Sequence, residues 1–273
     1  MSYLLSHGLS GPIQELVKGT HEIQRGNFTI EVPIHSRDEI GTLAASFNEM
    51  AKGLVERERF RNFLDLVADK DVAAEMVAGK IALGGETREV SVLFCDIRGF
   101  TGLTQGMDPA EVIRMLNEHF TPLTRVVREH RGFVDKFVGD LIMAVFGAPK
   151  SFGNDAFNAA QCALDMIRER EILNETSKYK IKMGIGGASG PALAGNMGSE
   201  DRRNYTVLGE RVNLASRLCG KAGKMEVVID ETTFQRLNSQ ILTEPLPDFE
   251  LKGFSNRVPA YKLLEIRPPQ TTV

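Results

Sequence analysis

The fold is decided by FVDKFVGD at residues 133–140, taken together with LFCDIRGF at residues 93–100. Each stretch places an aspartate, Asp140 or Asp96, at the end of an apolar run typical of a β-strand. If the two strands are neighbours in one sheet, both carboxylates converge on one edge, and Mg²⁺ prefers a few carboxylates together with phosphate oxygens. Ordinary turn or cap aspartates are the alternative. The occurrence of both stretches favours a divalent-cation site on Asp96 and Asp140.

The residues after Asp96 suit phosphate binding, because they read as the start of a helix, where free backbone N–H groups attract anions. These candidates are Ile97, Arg98, Gly99, Phe100 and Thr101. A third stretch, YTVLGERVNLASR at residues 205–217, places Asn213 and Arg217 four residues apart on one helix face. A guanidinium in that position can stabilise negative charge that develops on phosphate oxygens. The alternative is a capping asparagine and a surface arginine.

Beyond about residue 80 the pattern alternates between strands and helices. We predict strands at 90–96, 133–137, 141–146, 181–186 and 205–208, with a Gly-rich return at 188–197. The intervening helices begin near Asp108, Asp155 and Glu210. Asp108 is predicted to cap the first of them, with Glu111 as its capping-box acid. The order β-α-β-β-α-β predicts an α+β fold, a ferredoxin-like sandwich.

The first 57 residues follow a helical pattern of their own. Pro12 is expected to open an amphipathic helix, since proline fits a first turn, and Gly26 to end it. An extended connector then leads to a second helix with Ser36 or Asp38 as its cap. That helix carries a heptad seam of Ile40, Leu43, Phe47, Met50 and Leu54. A plain helical hairpin is the alternative to a helix that pairs with a second chain.

Residues 55–78 continue as a helix, but their apolar positions leave the phase of Leu54. A phase break in a coiled coil changes the supercoil locally, which would couple the two regions. A helix that leaves the coiled coil and packs on the next domain explains the pattern equally well.

Composition excludes several classes of protein. The 273 residues have a net charge of −3 and no cluster of Lys and Arg, so we expect no nucleic-acid partner. Cys95, Cys162 and Cys219 are far apart and read as buried thiols of a reducing compartment. Neither a signal peptide nor an apolar run of about 20 residues is present. We therefore expect a cytosolic protein, tethered to the membrane if a longer parent chain carries a sensor with a transmembrane segment before Met1.

The three stretches together resemble the catalytic domain of class III nucleotidyl cyclases, and residues 8–57 resemble a HAMP domain. The resemblance implies a HAMP-like helical module at 1–57, a signalling helix at 58–80 and a cyclase catalytic domain at 81–273. It also implies an adenylate cyclase, a phosphorus–oxygen lyase that converts ATP to 3′,5′-cyclic AMP and pyrophosphate. Two Mg²⁺ or Mn²⁺ ions per site would assist the attack of the ribose 3′-hydroxyl on the α-phosphate.

The resemblance also assigns roles to individual residues. Asp96, Asp140 and the backbone of Ile97 would bind the metal ions. Lys136 and Thr206 would contact adenine, because guanine-specific relatives typically carry Glu and Cys at these two positions. The remaining contacts are Asn213 to the ribose, Arg217 to the reacting phosphate and Lys252 to the terminal phosphates.

The resemblance further implies a homodimer with two sites, each shared across the interface. One subunit would supply Asp96 and Asp140, and the other Lys136, Thr206, Asn213 and Arg217. Two alternatives stay open: a guanylate or mixed-specificity cyclase, and a dimeric signalling module without catalysis.

Overall fold

A computed structural model of the chain describes residues 2–67, 85–199 and 203–267. The chain divides into two compact units, Met1–Ala68 and Asp69–Val273. In the described parts of the chain, no helix is both long and apolar enough to cross a membrane.

The N-terminal unit consists of α1 (Ser2–Gln24), an extended connector and α2 (Glu39–Val67). We expected Pro12 to stand at the start of α1, but it lies inside the helix. A proline removes one intrahelical hydrogen bond and keeps a helical φ, so a helix can continue through it at some cost. The predicted linker helix is described only as far as Val67, and residues 68–78 of that prediction lie outside the described residues.

The start of α2 and the path of the connector follow from two polar side chains. Asp38, and not Ser36, caps α2, since its carboxylate accepts hydrogen bonds from the N–H groups of Ile40 at 3.0 Å and Gly41 at 3.1 Å. Asn48 is buried in α2, and its side chain donates to the carbonyl of Val32 and accepts from its N–H, both at 2.8 Å. The side-chain amide of Asn48 thus satisfies both backbone groups of Val32, as the backbone of a neighbouring strand would.

The heptad seam of α2 is only partly covered by its own chain. Leu16, Val32 and Ala44 form the small core of the unit, with Phe47 packed against it. Leu43 and Met50, which lie one heptad apart, are 53% and 51% exposed. The seam therefore leaves an apolar stripe on the outside of this unit.

The second unit places most of its helices on an eight-stranded sheet. Its strands are β1 (Glu86–Ile97), β2 (Phe133–Val138), β3 (Leu141–Phe146), β4 (Met183–Gly198), β5 (Arg203–Leu208), β6 (Glu226–Asp230), β7 (Ile241–Pro245) and β8 (Ala260–Ile266). Its helices are α3 (Phe100–Thr104), α4 (Pro109–Glu129), α5 (Asp155–Thr176), α6 (Glu210–Lys221) and α7 (Glu231–Leu237).

The first four strands confirm the predicted ferredoxin-like order. They lie in the order β2-β3-β1-β4, and β1 is antiparallel to both of its neighbours. Asp108 caps α4 as predicted and accepts a hydrogen bond from the N–H of Ala110 at 2.9 Å. Glu111 does not complete the capping box; its carboxylate binds Lys178 and the Tyr179 hydroxyl instead. These two partners approach from the loop before β4, which sequence spacing does not reveal.

One prediction about the strands is wrong. The strand at 181–186 and the return at 188–197 form a single strand, β4, that pairs continuously with β1 from Glu86 to Ile97. Small residues along β4 lie close to neighbouring backbone and side chains, so the glycines there are part of a strand and not of a loop.

The sheet separates two layers of core. Along β1, Val90, Val92 and Phe94 face the layer that contains α6, whereas Leu93 and Cys95 face the layer that contains α4 and α5. This alternation follows from the period of two along a strand.

Candidate active site

The first feature of the site is the pair of carboxylates at the edge formed by β1 and β3. Cys95 pairs with Ile142, so Asp96, which lies near the end of β1, is close to the turn Gly139–Asp140 that joins β2 to β3. Gly139 has φ +63°, a conformation in which a glycine costs little, and this tight turn brings Asp140 beside Asp96. The carboxylate of Asp140 also accepts a hydrogen bond from the N–H of Ile97 at 3.2 Å.

The two carboxylates are electrostatically unfavourable neighbours without a cation. Burial raises the pKa of Asp140 to about 6, and its contact with Asp96 adds to the rise. A divalent cation between them would remove the repulsion, so the residues fit a metal ion. In the described ranges, no group of three or more His, Cys, Asp or Glu side chains is arranged so that it could hold a metal ion. The arrangement therefore suits an ion such as Mg²⁺, which takes few carboxylates and completes its shell with other oxygens.

The predicted phosphate-binding loop joins β1 to α3. Gly99 stands at the N-cap of α3 in a left-handed conformation and contributes no side-chain cap. The side chain of Arg98 turns inward: it lies 3.5 Å from Asp96 and donates to the carbonyl oxygen of Cys219 in α6. It rests on Gly184 of β4, where any Cβ would overlap the guanidinium. Its side chain thus connects β1 to α6.

Lys136 and Thr206, the predicted base-contacting pair, are in direct contact. The Lys136 Nζ donates to the Thr206 hydroxyl at 2.9 Å, although the two residues lie on β2 and β5. The rings of Phe133 and Tyr205, one on each strand, pack with centroids 6.0 Å apart and hold the strands together at this point. The head of Lys136 remains accessible, since its side chain is 43% exposed.

A residue that the sequence analysis did not single out completes this group. Asp135 accepts hydrogen bonds from the Thr206 hydroxyl at 2.6 Å and from the Lys136 Nζ at 3.1 Å. Strict alternation along β2 would place Asp135 and Lys136 on opposite faces. The pairing with β3 shifts between Val134 and Lys136, which leaves Asp135 as the extra residue of a β-bulge. Sequence patterns carry no signal for such a bulge beyond the presence of an acid in the strand.

Asn213 and Arg217 lie on the exposed face of α6. The opposite face packs on the sheet through Val212, Leu214, Ala215, Leu218 and Cys219. This close packing depends on Gly186, because a Cβ there would lie 2.0 Å from the N atom of Cys219. Within the ranges that the structure describes, Asn213 and Arg217 form no hydrogen bond or ion pair with the carboxylates of Asp96 and Asp140, nor with Lys136 and its two partners.

Lys252 lies in the exposed loop before Gly253, which has φ +93°. Its role at the terminal phosphates stays a prediction, as do the roles of the other site residues. The structure thus brings together Asp96 with Asp140, and Lys136 with Thr206, whereas Asn213, Arg217 and Lys252 face outward.

Comparison with protein families agrees with this architecture. A family described as "Adenylate and Guanylate cyclase catalytic domain" matches residues 84–265, and a second family, described as "HAMP domain", matches residues 4–56. Among curated proteins, an uncharacterized protein of Mycobacterium tuberculosis, Rv1320c, is 36% identical over 219 residues, which are 80% of this chain and 38% of that protein. The chain therefore spans less than half the length of the curated relatives it matches.

Solved cyclases of both specificities are similar to this chain. The adenylyl cyclase CyaB from P. aeruginosa is 29% identical, with a TM-score of 0.64 over 67% of this chain and 97% of its own. The guanylyl cyclase Cya2 is 31% identical, with a TM-score of 0.65 over 68% of this chain and 97% of its own. Overall similarity thus does not distinguish between ATP and GTP.

Proposed function

Since this chain belongs to the class III nucleotidyl cyclase family and carries a HAMP domain before its catalytic domain, we propose that it is an adenylate cyclase. It converts ATP to 3′,5′-cyclic AMP and pyrophosphate, and its HAMP domain regulates the reaction. The observation that carries the choice of ATP is the hydrogen bond of 2.9 Å between Lys136 and Thr206. Neither residue is the Glu or Cys that guanine-specific relatives typically carry.

In this proposal the residues of the site act mainly by binding and positioning. Asp96 and Asp140 would hold the divalent cations, which would supply Lewis-acid chemistry at the phosphates when bound. Asn213 orients the ribose so that its 3′-hydroxyl faces the α-phosphate. Arg217 places its charge where oxygens become more negative in the transition state, a contribution of about 3 kcal/mol in comparable sites.

We further propose that the active unit is a homodimer with two shared sites. Asn213 and Arg217 are exposed and make no contact with the carboxylates of their own chain in the described residues. In a two-fold dimer, α6 of one subunit can face the carboxylates of the other. The exposed stripe at Leu43 and Met50 favours pairing of the N-terminal units as well.

A guanylate cyclase is the second candidate, favoured by the similarity to Cya2. The deciding experiment measures cyclic nucleotide formed from ATP and from GTP with Mn²⁺. We expect cyclic AMP as the main product and its loss in Asp96→Ala, while Asp248→Ala, which changes an exposed aspartate of the same unit, keeps the activity. Cyclic GMP as the main product would establish the second candidate instead.

Complementation tests the shared site. Asp96→Ala and Arg217→Ala homodimers should each be inactive, because every site lacks one group. A mixture of the two should regain activity, since one of the two sites in a heterodimer is intact. No recovery in a mixture whose heterodimers are demonstrated by mass would contradict sharing.

A further inference from the structure

Asp135 occupies an unusual position for an acidic residue. Its side chain is only 2% exposed, although it lies on the edge strand β2, and the bulge turns it toward Thr206. A buried carboxylate is costly unless it is hydrogen-bonded and paired with a positive charge. Thr206 and Lys136 satisfy both conditions at 2.6 and 3.1 Å.

The contact with Asp135 decides the direction of the Thr206 hydroxyl. A hydroxyl has one hydrogen and two lone pairs, and an ionised carboxylate can only accept. At 2.6 Å from Asp135, the hydroxyl hydrogen of Thr206 is therefore used in that bond. One lone pair accepts from Lys136, so toward a ligand Thr206 offers only an acceptor.

The ammonium group of Lys136 is left with one donor. It has three hydrogens, of which one goes to Asp135 and one to Thr206. Thr206 and Lys136 therefore present one acceptor and one donor side by side to a ligand. Adenine presents the complementary pair, an amino group that donates and the ring nitrogen N1 that accepts. Guanine in the same orientation presents an accepting O6 to Thr206 and a donating N1–H to Lys136, so both contacts are mismatched.

We infer that Asp135 is a positioning residue that sets the preference for ATP over GTP, because it fixes the Thr206 hydroxyl as an acceptor. The inference rests on the proposed adenylate cyclase activity and adds to it a residue that acts through Thr206 and Lys136. Without this carboxylate, a threonine could either donate or accept, and it would distinguish the two purines poorly.

Asp135→Ala tests the role, because it removes the oxygen to which both Thr206 and Lys136 donate. The amide oxygen of an asparagine could accept both bonds at the same place, so Asp135→Asn is the conservative variant and should keep the preference for ATP. In Asp135→Ala the hydroxyl hydrogen of Thr206 is free for O6 of guanine. We expect the ratio of kcat/KM for ATP to that for GTP to fall about tenfold, with an absolute gain for GTP. The double variant Asp135→Ala/Thr206→Asp should regain most of the ratio, since it places an acceptor carboxylate at the base directly.

Asp230→Asn is the matched control. Asp230 is also a buried aspartate of this sheet, and it accepts a hydrogen bond from the Thr233 hydroxyl at 2.5 Å. Its replacement should lower the thermal midpoint but leave the ratio unchanged. Circular dichroism and thermal midpoints of all variants establish that they are folded.

The measurements distinguish a failure of the proposed adenylate cyclase activity from a failure of the proposed role of Asp135. A wild-type chain that does not prefer ATP overturns the adenylate cyclase proposal and this inference with it. A wild-type chain that prefers ATP, together with an Asp135→Ala variant whose rates fall equally for both nucleotides, overturns only the role of Asp135 in specificity.

Discussion

His119 on α4 is a buried residue that carries no hydrogen bond. It is 0% exposed, and in the described part of the chain neither ring nitrogen has a partner. Burial lowers the pKa of His119 to about 3, and the charge of Arg170 on α5 adds to the effect. The folded state therefore holds this imidazole neutral, whereas the unfolded chain protonates it below pH about 6.5.

This difference predicts acid sensitivity. The pKa of His119 is depressed in the folded state, so this residue does not lower the free energy of unfolding above pH about 6.5. As the pH falls from there toward 3, the free energy of unfolding decreases by up to roughly 1.4 kcal/mol per pH unit. Urea unfolding of the full chain between pH 7.5 and 4 measures the slope. His119→Phe, which removes the buried imidazole, should flatten it. Equal slopes in wild type and His119→Phe would contradict the assignment.

The residues of the site differ in how far sequence could predict them. Asp96 and Asp140 converge because Asp96 lies near the end of β1 and Asp140 lies just before the start of β3, and antiparallel pairing of β1 with β3 brings that end and that start together. The family resemblance placed Lys136 and Thr206 at the same base, but their direct contact was not predicted, since β2 and β5 are not neighbours in the sheet. Asp135 could not be predicted from pattern, because a bulge reverses the face that alternation assigns to it.

At the scale of elements, the position of α6 depends on one glycine of β4. A methyl group on Gly186 would lie 2.0 Å from the Cys219 N atom and 2.4 Å from the Ala215 carbonyl oxygen. Backbone atoms on both sides cannot yield as a flexible side chain would. The helix that carries Asn213 and Arg217 must therefore move if this residue acquires a side chain.

Gly186→Ala should accordingly destabilise the chain by about 1–3 kcal/mol and reduce cyclase activity, since overpacking displaces α6. Gly220→Ala is the control on the same helix: nothing lies within 4 Å of its Cβ, and the change should be neutral or stabilising by up to about 1 kcal/mol. Thermal unfolding and product formation measure both effects. Full activity in a stable Gly186→Ala variant would show that α6 tolerates displacement.

Asn48 determines the path of the connector in the N-terminal unit. Asn48→Ala would leave the N–H and the carbonyl of Val32 without partners in a buried setting, at a cost of about 1–3 kcal/mol. We expect faster hydrogen exchange of the Val32 amide in the full chain. Asn27→Ala, which removes an exposed contact with Glu22, should leave that amide protected. Unchanged exchange at Val32 would exclude the pairing.

Element boundaries were predicted well where capping and periodicity act locally, as at Asp108 and at β3. They were wrong at Pro12 and along the Gly-rich return. Pro12 continues α1, and the Gly-rich return is part of β4 because β1 supplies hydrogen bonds along its length. The four elements after α6 that complete the sheet and its cover, β6, α7, β7 and β8, were not predicted at all.

For the whole molecule, the exposed stripe of α2 predicts how two chains would meet in the proposed homodimer. Leu43→Cys should form a disulfide-linked dimer under mild oxidation, whereas Ala44→Cys, one residue away but buried in its own unit, should not. Cys95, Cys162 and Cys219 are buried, which keeps the background low. Non-reducing electrophoresis gives the result. Equal cross-linking of both variants would contradict a specific seam, and a scan over residues 54–67 would show where contact between the chains ends.

The length of β4 has a consequence for sequence change by insertion or deletion. Gly184 lies against Arg98, Gly186 lies against α6, and Gly195 pairs with Thr206, so one continuous strand sets the spacing between the two ends of the site. One added residue between Gly186 and Gly195 would shift that spacing by about 3.3 Å and exchange the two faces of the strand. Natural relatives and engineered hybrids that keep both ends functional must therefore keep this segment free of single-residue gaps, even where its side chains vary.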